Sequence, residues 1–151
     1  MKKLMVVGFL FSKEKKEVVL IRKTHPEWQK DKWNGVGGHV KQEFKDGILI
    51  IEHYDKAMER EFEEETGVLI DAEKWEQFLI MEGADWLVVC FKSFSDQPWQ
   101  DTILHKLTDE EPVWCDITCG LPSGMISNLK WLIPVALDET FGPYTIEGAI
   151  Q

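Results

Sequence analysis

Three glutamates, Glu61, Glu64 and Glu65, are the residues of this sequence whose spacing best suits chemistry. Their i, i+3, i+4 positions place them side by side on a helix, with Cβ atoms about 5–6 Å apart. Carboxylates that converge on a partly buried face repel one another and lose hydration, so they need protons or bound cations. An all-oxygen ligand set favours Mg²⁺ or Mn²⁺ over zinc. Arg60 lies i, i+4 from Glu64 and can orient that carboxylate through an ion pair.

The segment that positions these acids has a helical pattern from residue 52 to residue 66, and Gly67 stands where a helix C′ residue belongs. On a helical wheel, Glu61 and Glu65 fall within the apolar stripe that should face the core, and Glu64 lies at its edge. The acids predicted on the solvent side are Glu52, Glu59 and Glu63. The alternative to a metal site is an acidic helix whose glutamates simply extend to solvent.

The composition limits the classes of protein that fit the sequence. The chain has 151 residues, with 17 Lys and Arg against 27 Asp and Glu, and a formal net charge of −10. A length of about 150 residues predicts one domain. The acidity argues against nucleic-acid binding and against docking to anionic membranes, because both depend on a basic surface. No apolar stretch approaches the roughly 18 residues that a membrane span requires.

The cysteines point to the compartment. Cys90, Cys115 and Cys119 form no zinc-binding pattern, because two more ligands would be needed beside the last two. A sparse, odd number of cysteines is typical of reduced thiols in a cytoplasmic protein. We therefore expect a cytoplasmic chain that folds without disulfides.

Short apolar runs and turn residues predict the elements around the acidic helix. Residues 24–34 predict a loop, and the glycine-rich residues 34–40 predict a strand or a tight turn. A second helix is expected within residues 122–137, starting near Ser123 or Ser127, and followed by an irregular or edge-strand tail. The fold class is α/β, because strands surround two helices. The predicted strands cover residues 4–11, 18–21, 68–70, 76–81 and 86–94, the first two forming a hairpin.

Residues 60–68, with the sequence REFEEETGV, resemble the second half of the Nudix box, R-E-U-x-E-E-x-G-U, in which U is an apolar residue. Glu52 matches the acid that precedes this segment in the family, and residues 37–40 resemble its G-G-x-hydrophobic start. The chain departs from the pattern at one place, because 13 residues separate Gly38 from Glu52, eight more than the family has. The extra residues lie within 41–51. They have two alternative roles, as a lid over the substrate or as a contact in a homodimer.

The resemblance extends to residues 1–23, 33–38 and 128–134, which are similar to Nudix nucleoside triphosphate pyrophosphohydrolases that sanitise 8-oxo-purine nucleotides. It implies a single domain over residues 1–151, with the Nudix α/β/α sandwich and a mixed β-sheet. It also implies metal-dependent hydrolysis of a nucleoside diphosphate linked to another group, such as a triphosphate cleaved to monophosphate and pyrophosphate. The alternatives are dinucleotide polyphosphates, nucleotide sugars or capped RNA ends as substrates, or a nucleotide sensor without turnover.

Metal binding is the first role that the resemblance assigns to particular positions. It makes Glu64 and Glu65 ligands of Mg²⁺ or Mn²⁺, and the carbonyl group of Gly37 completes the site. Glu61 becomes a further ligand or the general base, which must lie within hydrogen-bond reach of the attacking water. Arg60 belongs to the same catalytic segment.

Two further charged residues are expected at the site by the same resemblance. An acidic ligand or base comes from a later loop, where Glu110 is favoured over Glu111. Lys23, at the end of the second predicted strand, matches the position of a cationic residue that contacts the phosphates in the family. Arg22 is the alternative to Lys23, because neighbouring residues of a strand point to opposite faces.

The resemblance assigns recognition of the base to two asparagines. Asn34 matches a residue that contacts the purine, and Asn128 stands where an amide reads the base edge. An amide suits this purpose because it both donates and accepts hydrogen bonds. Asn128 has an alternative role as a helix cap. Met125 replaces a stacking tryptophan of one relative, so specificity for 8-oxo-purines does not carry over.

Overall fold

A mixed β-sheet forms the centre of the molecule, whose computed structural model describes residues 2–140 and 144–147. A central strand, residues 3–11, is parallel to residues 86–94 and antiparallel to the next strand in the chain, residues 17–22. In chain order the strands are β1 (Lys3–Phe11), β2 (Glu17–Arg22), β3 (Trp33–Asn34), β4 (Val36–His39), β5 (Gln42–Lys45), β6 (Ile48–Ile51), β7 (Glu76–Glu82), β8 (Trp86–Phe94), β9 (Glu111–Asp116) and β10 (Tyr144–Glu147).

The main sheet has the order β10-β7-β8-β1-β2-β3, with β4 also paired to β1 and β9 also paired to β2. The β1–β8 and β7–β10 pairs are parallel, and the other pairs are antiparallel. The predicted hairpin of β1 and β2 is confirmed, as are the strands predicted at 76–81 and 86–94. Of the two alternatives for the tail, residues 144–147 form an edge strand.

Two helices cover opposite faces of this sheet, α1 (Tyr54–Thr66) and α2 (Leu129–Leu137). Side chains of β1 alternate between the two faces, as a strand requires. Val7, Phe9 and Phe11 belong to the core cluster that contains the buried face of α2. Leu4, Val6 and Leu10 belong to the cluster around Ala57, Met58 and Phe62 of α1. This arrangement confirms the predicted α/β/α sandwich with a mixed sheet.

Helix α1 begins two residues later than predicted and ends as predicted. His53 is extended, with φ −60° and ψ 138°, so Glu52 lies before the helix rather than on its solvent side. Gly67 adopts φ 74°, a left-handed conformation that favours glycine, and its N–H donates to the carbonyl of Glu63 at 2.9 Å. Among the described residues, no helix is long and apolar enough to cross a membrane.

Three predicted element boundaries are wrong. Residues 68–70 form no strand, because Val68 and Ile70 pack against the α1 side of the core as irregular backbone and pair with no neighbour in the described chain. The second helix starts at Leu129, because residues 122–128 are held in a turn instead. In that turn, the Gly124 carbonyl accepts the N–H of Trp33 at 2.9 Å. The predicted loop at 24–34 therefore ends in the short strand β3.

The extra residues within 41–51 fold into a separate two-stranded hairpin, β5 and β6, which sequence reasoning treated as a loop. Asp46 and Gly47 connect the strands, with φ values of 53° and 78°. Positive φ at both central residues is the mark of a type I′ turn, for which Asp-Gly is a preferred sequence. The signal for this hairpin was therefore present in the sequence. Strand β9 was also missed.

Candidate active site

Arg60 is the centre of a network of carboxylates at the β4-facing side of α1. Its Nε and Nη2 atoms donate to the two carboxylate oxygens of Glu52 at 2.9 and 2.8 Å. Its Nη1 atom donates to Glu61 at 2.8 Å and to Glu64 at 3.2 Å, and Nη2 also donates to the carbonyl of His39 at 3.0 Å. The hydrogen bond from Arg60 lowers the pKa of Glu52, and the same bond raises the pKa of Arg60. One guanidinium therefore fixes three acids against a strand.

Two adjacent glycines of β4 have different reasons to be glycine. A Cβ atom on Gly37 would collide with the carbonyl oxygen of Val6 on the neighbouring strand, so Gly37 is required for close strand packing. A Cβ atom on Gly38 would instead occupy the place of the Glu61 carboxylate. Gly38 thus provides the space in which Glu61 lies. Burial is the main cause that raises the pKa of Glu61, although Arg60 opposes it.

Glu65 is the most isolated carboxylate of the site. Its Oε2 atom is buried, and within the described chain no group donates a hydrogen bond to it. Burial raises the pKa of Glu65 to about 8. The positive charge of Lys23 lowers this pKa, whereas the charges of Glu61 and Glu110 raise it, so all three groups act on the same carboxylate. A buried oxygen without a donor fits a bound cation.

Lys23 and Glu110 form an ion pair whose charges act on the pKa of Glu65. The Lys23 ammonium lies 3.0 Å from the Glu110 carboxylate, which also accepts the backbone N–H of Thr24 at 2.7 Å. Glu110 is only 3% exposed. Burial would raise the pKa of Glu110, but the Thr24 N–H and Lys23 outweigh it and lower that pKa.

The residues that were alternatives to this pair point elsewhere. Arg22 is exposed and lies 3.8 Å from Asp31, and Glu111 is exposed at the start of β9. Lys23, which follows the last residue of β2, and not Arg22, therefore pairs with Glu110.

The three predicted metal-binding acids are close together but not yet in ligand geometry. Within the described residues, no three His, Cys, Asp or Glu side chains converge tightly enough to hold an ion. The physical reason is Arg60, which holds Glu61 and Glu64 in ion pairs, while the side chain of Glu64 is 56% exposed. The donor set still fits Mg²⁺ or Mn²⁺, because Glu65 offers a buried carboxylate oxygen and the other proposed ligands are also oxygen donors.

The two asparagines predicted to read the base lie on segments that the structure joins. A bridge connects Trp33 to Met125, and the N–H of Ile126 donates to the carbonyl of Trp33 at 3.1 Å. The side chain of Asn34 is already engaged, since it donates to Gln29 at 3.0 Å and accepts the N–H of Gly35 at 2.7 Å. The Oδ1 atom of Asn128 is buried and accepts no hydrogen bond from the described chain. Asn128 precedes α2 but makes no capping hydrogen bond.

A second acidic surface lies on the first turns of α1. It is an open pocket of about 440 Å³, and none of the predicted site residues lines it. Glu59 is held there by the N–H of Ala72 at 2.6 Å. We call this surface the outer pocket; its lining residues are Asp55, Lys56, Glu59, Asp71, Ala72 and Glu73.

Sequence reasoning missed two contributors to the site. Gly38 was recognised as part of a motif but was given no role, although its position before the helix could have indicated one. Thr24 was not singled out, and nothing in its sequence context signals that its N–H holds Glu110. Glu52 was placed on the solvent side, but it lies half-buried against Arg60.

Comparisons with known proteins identify the family of the chain. The profile of the NUDIX domain matches residues 1–143 of the chain. No individually curated protein is a significant match. A MutT/nudix family protein from Enterococcus faecalis is 25% identical over 77% of this chain, with a TM-score of 0.56. The alignment spans only 44% of that protein's length.

Two other solved structures share the fold at lower identity. The mutator MutT protein from Bacillus halodurans is 18% identical, with a TM-score of 0.68, over 96% of this chain and 89% of its own. A bifunctional NMN adenylyltransferase/ADP ribose pyrophosphatase from Francisella tularensis, solved with AMP and a Mn ion, is 17% identical, with a TM-score of 0.61. That alignment covers 91% of this chain and 41% of the other. With the NUDIX profile spanning residues 1–143, the chain belongs to the Nudix hydrolase family.

Proposed function

We propose that this chain is a Mg²⁺- or Mn²⁺-dependent nucleotide pyrophosphohydrolase. Its leading substrate is a nucleoside triphosphate, including oxidised forms, which it cleaves to the monophosphate and pyrophosphate. The observation that carries this proposal is the buried Oε2 atom of Glu65, which has no donor within the described chain. The charges of Lys23, Glu61 and Glu110 all act on the pKa of this carboxylate. A carboxylate in this position gains most from a divalent cation, since the cation replaces the proton that burial otherwise favours.

The proposed ligands are Glu64, Glu65 and the carbonyl group of Gly37, with Glu61 as a fourth ligand or as the general base. A bound divalent ion neutralises phosphate oxygens and lowers the pKa of the attacking water. Arg60 orients Glu61 and Glu64 through its Nη1 atom, and its bidentate bond to Glu52 fixes the guanidinium beside them. Glu61 and Glu64 would leave these ion pairs in order to hold the ion.

Lys23 and Glu110 act on the substrate side of the proposed site. Glu110 is ionised at neutral pH because its pKa is lowered, so it can accept a proton or bind a cation but cannot donate a proton. Lys23 lies where its charge reaches Glu65 and therefore a phosphate bound there. We propose that Lys23 contacts the phosphates of the substrate and exchanges its bond to Glu110 for one to a phosphate oxygen.

Asn34 and Asn128 are proposed to bind the base. The segment around Met125 and Trp33 joins their two backbones, so both amides can lie on one side of a planar ligand. The unsatisfied Oδ1 atom of Asn128 can accept a hydrogen bond from a base amino or imino group. We propose a small nucleotide as the partner, bound by a single domain over residues 1–151 in the cytoplasm. Three free cysteines are compatible with that reducing compartment.

Other functions remain as alternatives within the same family. Nucleotide sugars and dinucleotide polyphosphates contain the same diphosphate linkage, and one structural neighbour is described as an ADP ribose pyrophosphatase. Capped RNA ends are less compatible with a net charge of −10. A nucleotide sensor without turnover would not need Glu61, Glu64 and Glu65 together, and all three are present here.

The proposal is tested by a hydrolysis screen over canonical and oxidised nucleoside triphosphates, ADP-ribose and dinucleotide polyphosphates, with Mg²⁺ or Mn²⁺ and product identification. We expect monophosphate and pyrophosphate from at least one triphosphate, and no turnover when the metal is chelated. The exposed position of Glu64 allows Glu64→Gln with little effect on folding, and Glu63→Gln, on the next exposed residue, is the matched control. Nucleotide binding without turnover would favour the sensor, and turnover that is equal in both variants would exclude Glu64 as a ligand.

A further inference from the structure

The hairpin of β5 and β6 is a surface that the proposed hydrolysis does not use. It is a two-stranded sheet of its own and pairs with no other described strand. Five apolar side chains are exposed on it, and Phe44 and Ile48 are the most accessible, at 68% and 66%. The others are Leu49, Ile50 and Ile51. An isolated hairpin is marginally stable in water, and an apolar strand edge invites pairing with another chain.

Along the outer edge of β5, alternate residues direct their backbone N–H and C=O groups away from β6. Asp46 and Gly47 form a two-residue turn, so Lys45 and Ile48 are the hydrogen-bonded pair that closes it. Backbone groups alternate in direction along a strand, and the N–H and C=O of Phe44 therefore point away from β6. These two groups can bond to an identical Phe44 related by a twofold axis.

The charges beside Phe44 make this pairing self-complementary. When two antiparallel copies of β5 meet at Phe44, Glu43 of each copy stands directly opposite Lys45 of the other. Opposite charges in directly facing positions stabilise a strand pair, and like charges destabilise it. Glu43 and Lys45 are both exposed and can make these contacts. On the other face, Phe44 and its cross-strand neighbour Leu49 would join their copies in one apolar row.

The distribution of charge also favours association of two acidic chains through this hairpin. The whole chain has a formal charge of −10, which opposes self-association at most surfaces. Residues 41–46 carry Lys41 and Lys45 against Glu43 and Asp46, so this segment is neutral. Two copies therefore approach through the hairpin with little repulsion.

We propose that β5 is the interface of a twofold homodimer, in which Phe44 pairs with Phe44 and Glu43 with Lys45 of the second copy. The two hairpins then form one four-stranded antiparallel sheet. A contact along a four-residue strand is small, so the dimer is reversible and concentration-dependent. The partner of the hairpin is thus a second copy of this chain.

The test is sedimentation velocity of the full chain from about 1 to 500 µM in about 0.15 M salt, where charges are screened beyond roughly 8 Å. Wild type should pass from monomer to dimer within this range. Glu43→Lys or Lys45→Glu places like charges opposite each other twice in a homodimer, and each should weaken dimerisation at least about tenfold. The controls Glu73→Lys and Lys74→Glu make the same charge changes at exposed positions outside the hairpin and should leave it unchanged.

Two combinations distinguish pairing from a general charge effect. An equimolar mixture of the Glu43→Lys and Lys45→Glu proteins should form heterodimers, because every facing pair then has opposite charges. The double variant Glu43→Lys/Lys45→Glu should dimerise like wild type. A wild-type chain that is monomeric at 500 µM would overturn the proposal. A dimer that is equally stable in both single variants, or a mixture that does not associate, would overturn it as well, and thermal unfolding verifies that each variant is folded.

Discussion

Helix α1 carries two acidic surfaces, and they differ in what burial does to them. The inner site around Glu61, Glu64 and Glu65 faces β4 and the core, and its Glu65 has a buried oxygen with no donor within the described chain. The outer pocket also contains several acids, but Glu59 accepts a backbone N–H and lies 3.9 Å from Lys56, while Glu73 is exposed to solvent. The same residue type therefore has two roles within four turns of helix.

The comparison shows that acidity alone does not identify a metal site. In the outer pocket, Glu59 already has a donor and Glu73 is open to solvent, so a cation would gain little by displacing these interactions. In the inner site, burial leaves Glu65 with a choice between a proton and a cation. The difference between the two surfaces can be tested by matched changes at each of them.

The largest expected difference is in turnover. Glu65→Gln keeps the shape of the side chain but removes the charge that would hold the metal, so we expect hydrolysis to fall by about 10³-fold or more. Glu73→Gln makes the same change in the outer pocket and should alter the rate less than twofold. Steady-state hydrolysis with saturating Mg²⁺ measures both. Similar losses in the two variants would remove the distinction between the surfaces.

The next difference is in stability. Arg60→Met leaves Glu52, Glu61 and Glu64 without their shared cation, and we expect the metal-free protein to lose about 2–4 kcal/mol of unfolding free energy. Lys56→Met removes the more exposed partner of Glu59 and should cost less than about 1 kcal/mol. Chemical denaturation measures both values. Equal losses would mean that Arg60 does not organise the inner site.

A methyl group added at Gly38 tests how much the inner site depends on the position of Glu61. Gly38→Ala places a Cβ atom where the Glu61 carboxylate lies, so this acid must move. We expect hydrolysis to fall about 10- to 100-fold, as displacement of a catalytic group by about 1 Å commonly does. Thermal unfolding and the hydrolysis rate, measured together, separate this effect from misfolding. An unchanged rate in a folded variant would show that the position of Glu61 is not critical.

The smallest expected difference is in the pH dependence of stability. The pKa of Glu65 is about 8 in the folded protein against an ordinary value of 4.5, so the folded chain binds the extra proton between these values. Unfolding free energy must therefore decrease as pH rises from about 5 to 8. We expect a contribution of about 1–2 kcal/mol, because Glu65 retains some solvation.

Variants at the two surfaces isolate this contribution. In metal-free protein, Glu65→Gln should flatten the decline in melting temperature between pH 5 and 8, and Glu73→Gln should retain it. Glu52 and Glu110 act with the opposite sign, because their lowered pKa values make the protein lose stability as pH falls below about 4.5. An identical decline in Glu65→Gln and wild type would assign the proton to another group.

The sequence predicted the parts of the molecule that depend on local periodicity. The apolar run of β1 and the helical stripe through Met58 and Phe62 are local signals, and they correctly indicated a strand and a helix. The arrangement of the sheet between two helices followed from the resemblance to the Nudix family. The wheel also separated Glu65 from the solvated acids. Residues 68–70 gave a wrong strand, because a short apolar run looks alike whether or not a neighbouring strand exists to pair with.

Other features depend on contacts that no local pattern contains. Glu52 is eight residues from Arg60 and precedes the helix, so a helical wheel could not show their bidentate bond. The bond between Thr24 and Glu110 joins residues 86 positions apart. The start of α2 was misplaced because the backbones of Gly124 and Ile126 bond to Trp33 instead of starting the helix. The Asp-Gly turn of the β5–β6 hairpin was a readable signal that the apolar run after it obscured.

The most direct test of the account is Mn²⁺ binding, measured by titration calorimetry on wild type, Glu65→Gln and Glu73→Gln without nucleotide. We expect Glu65→Gln to weaken Mn²⁺ binding about 100-fold or more, whereas Glu73→Gln should bind like wild type. We also expect Mn²⁺ binding to wild type to release protons near pH 7, because Glu65 must ionise, and Glu65→Gln not to release them. Equal Mn²⁺ affinity in wild type and Glu65→Gln would contradict the assignment of the inner site as the metal centre.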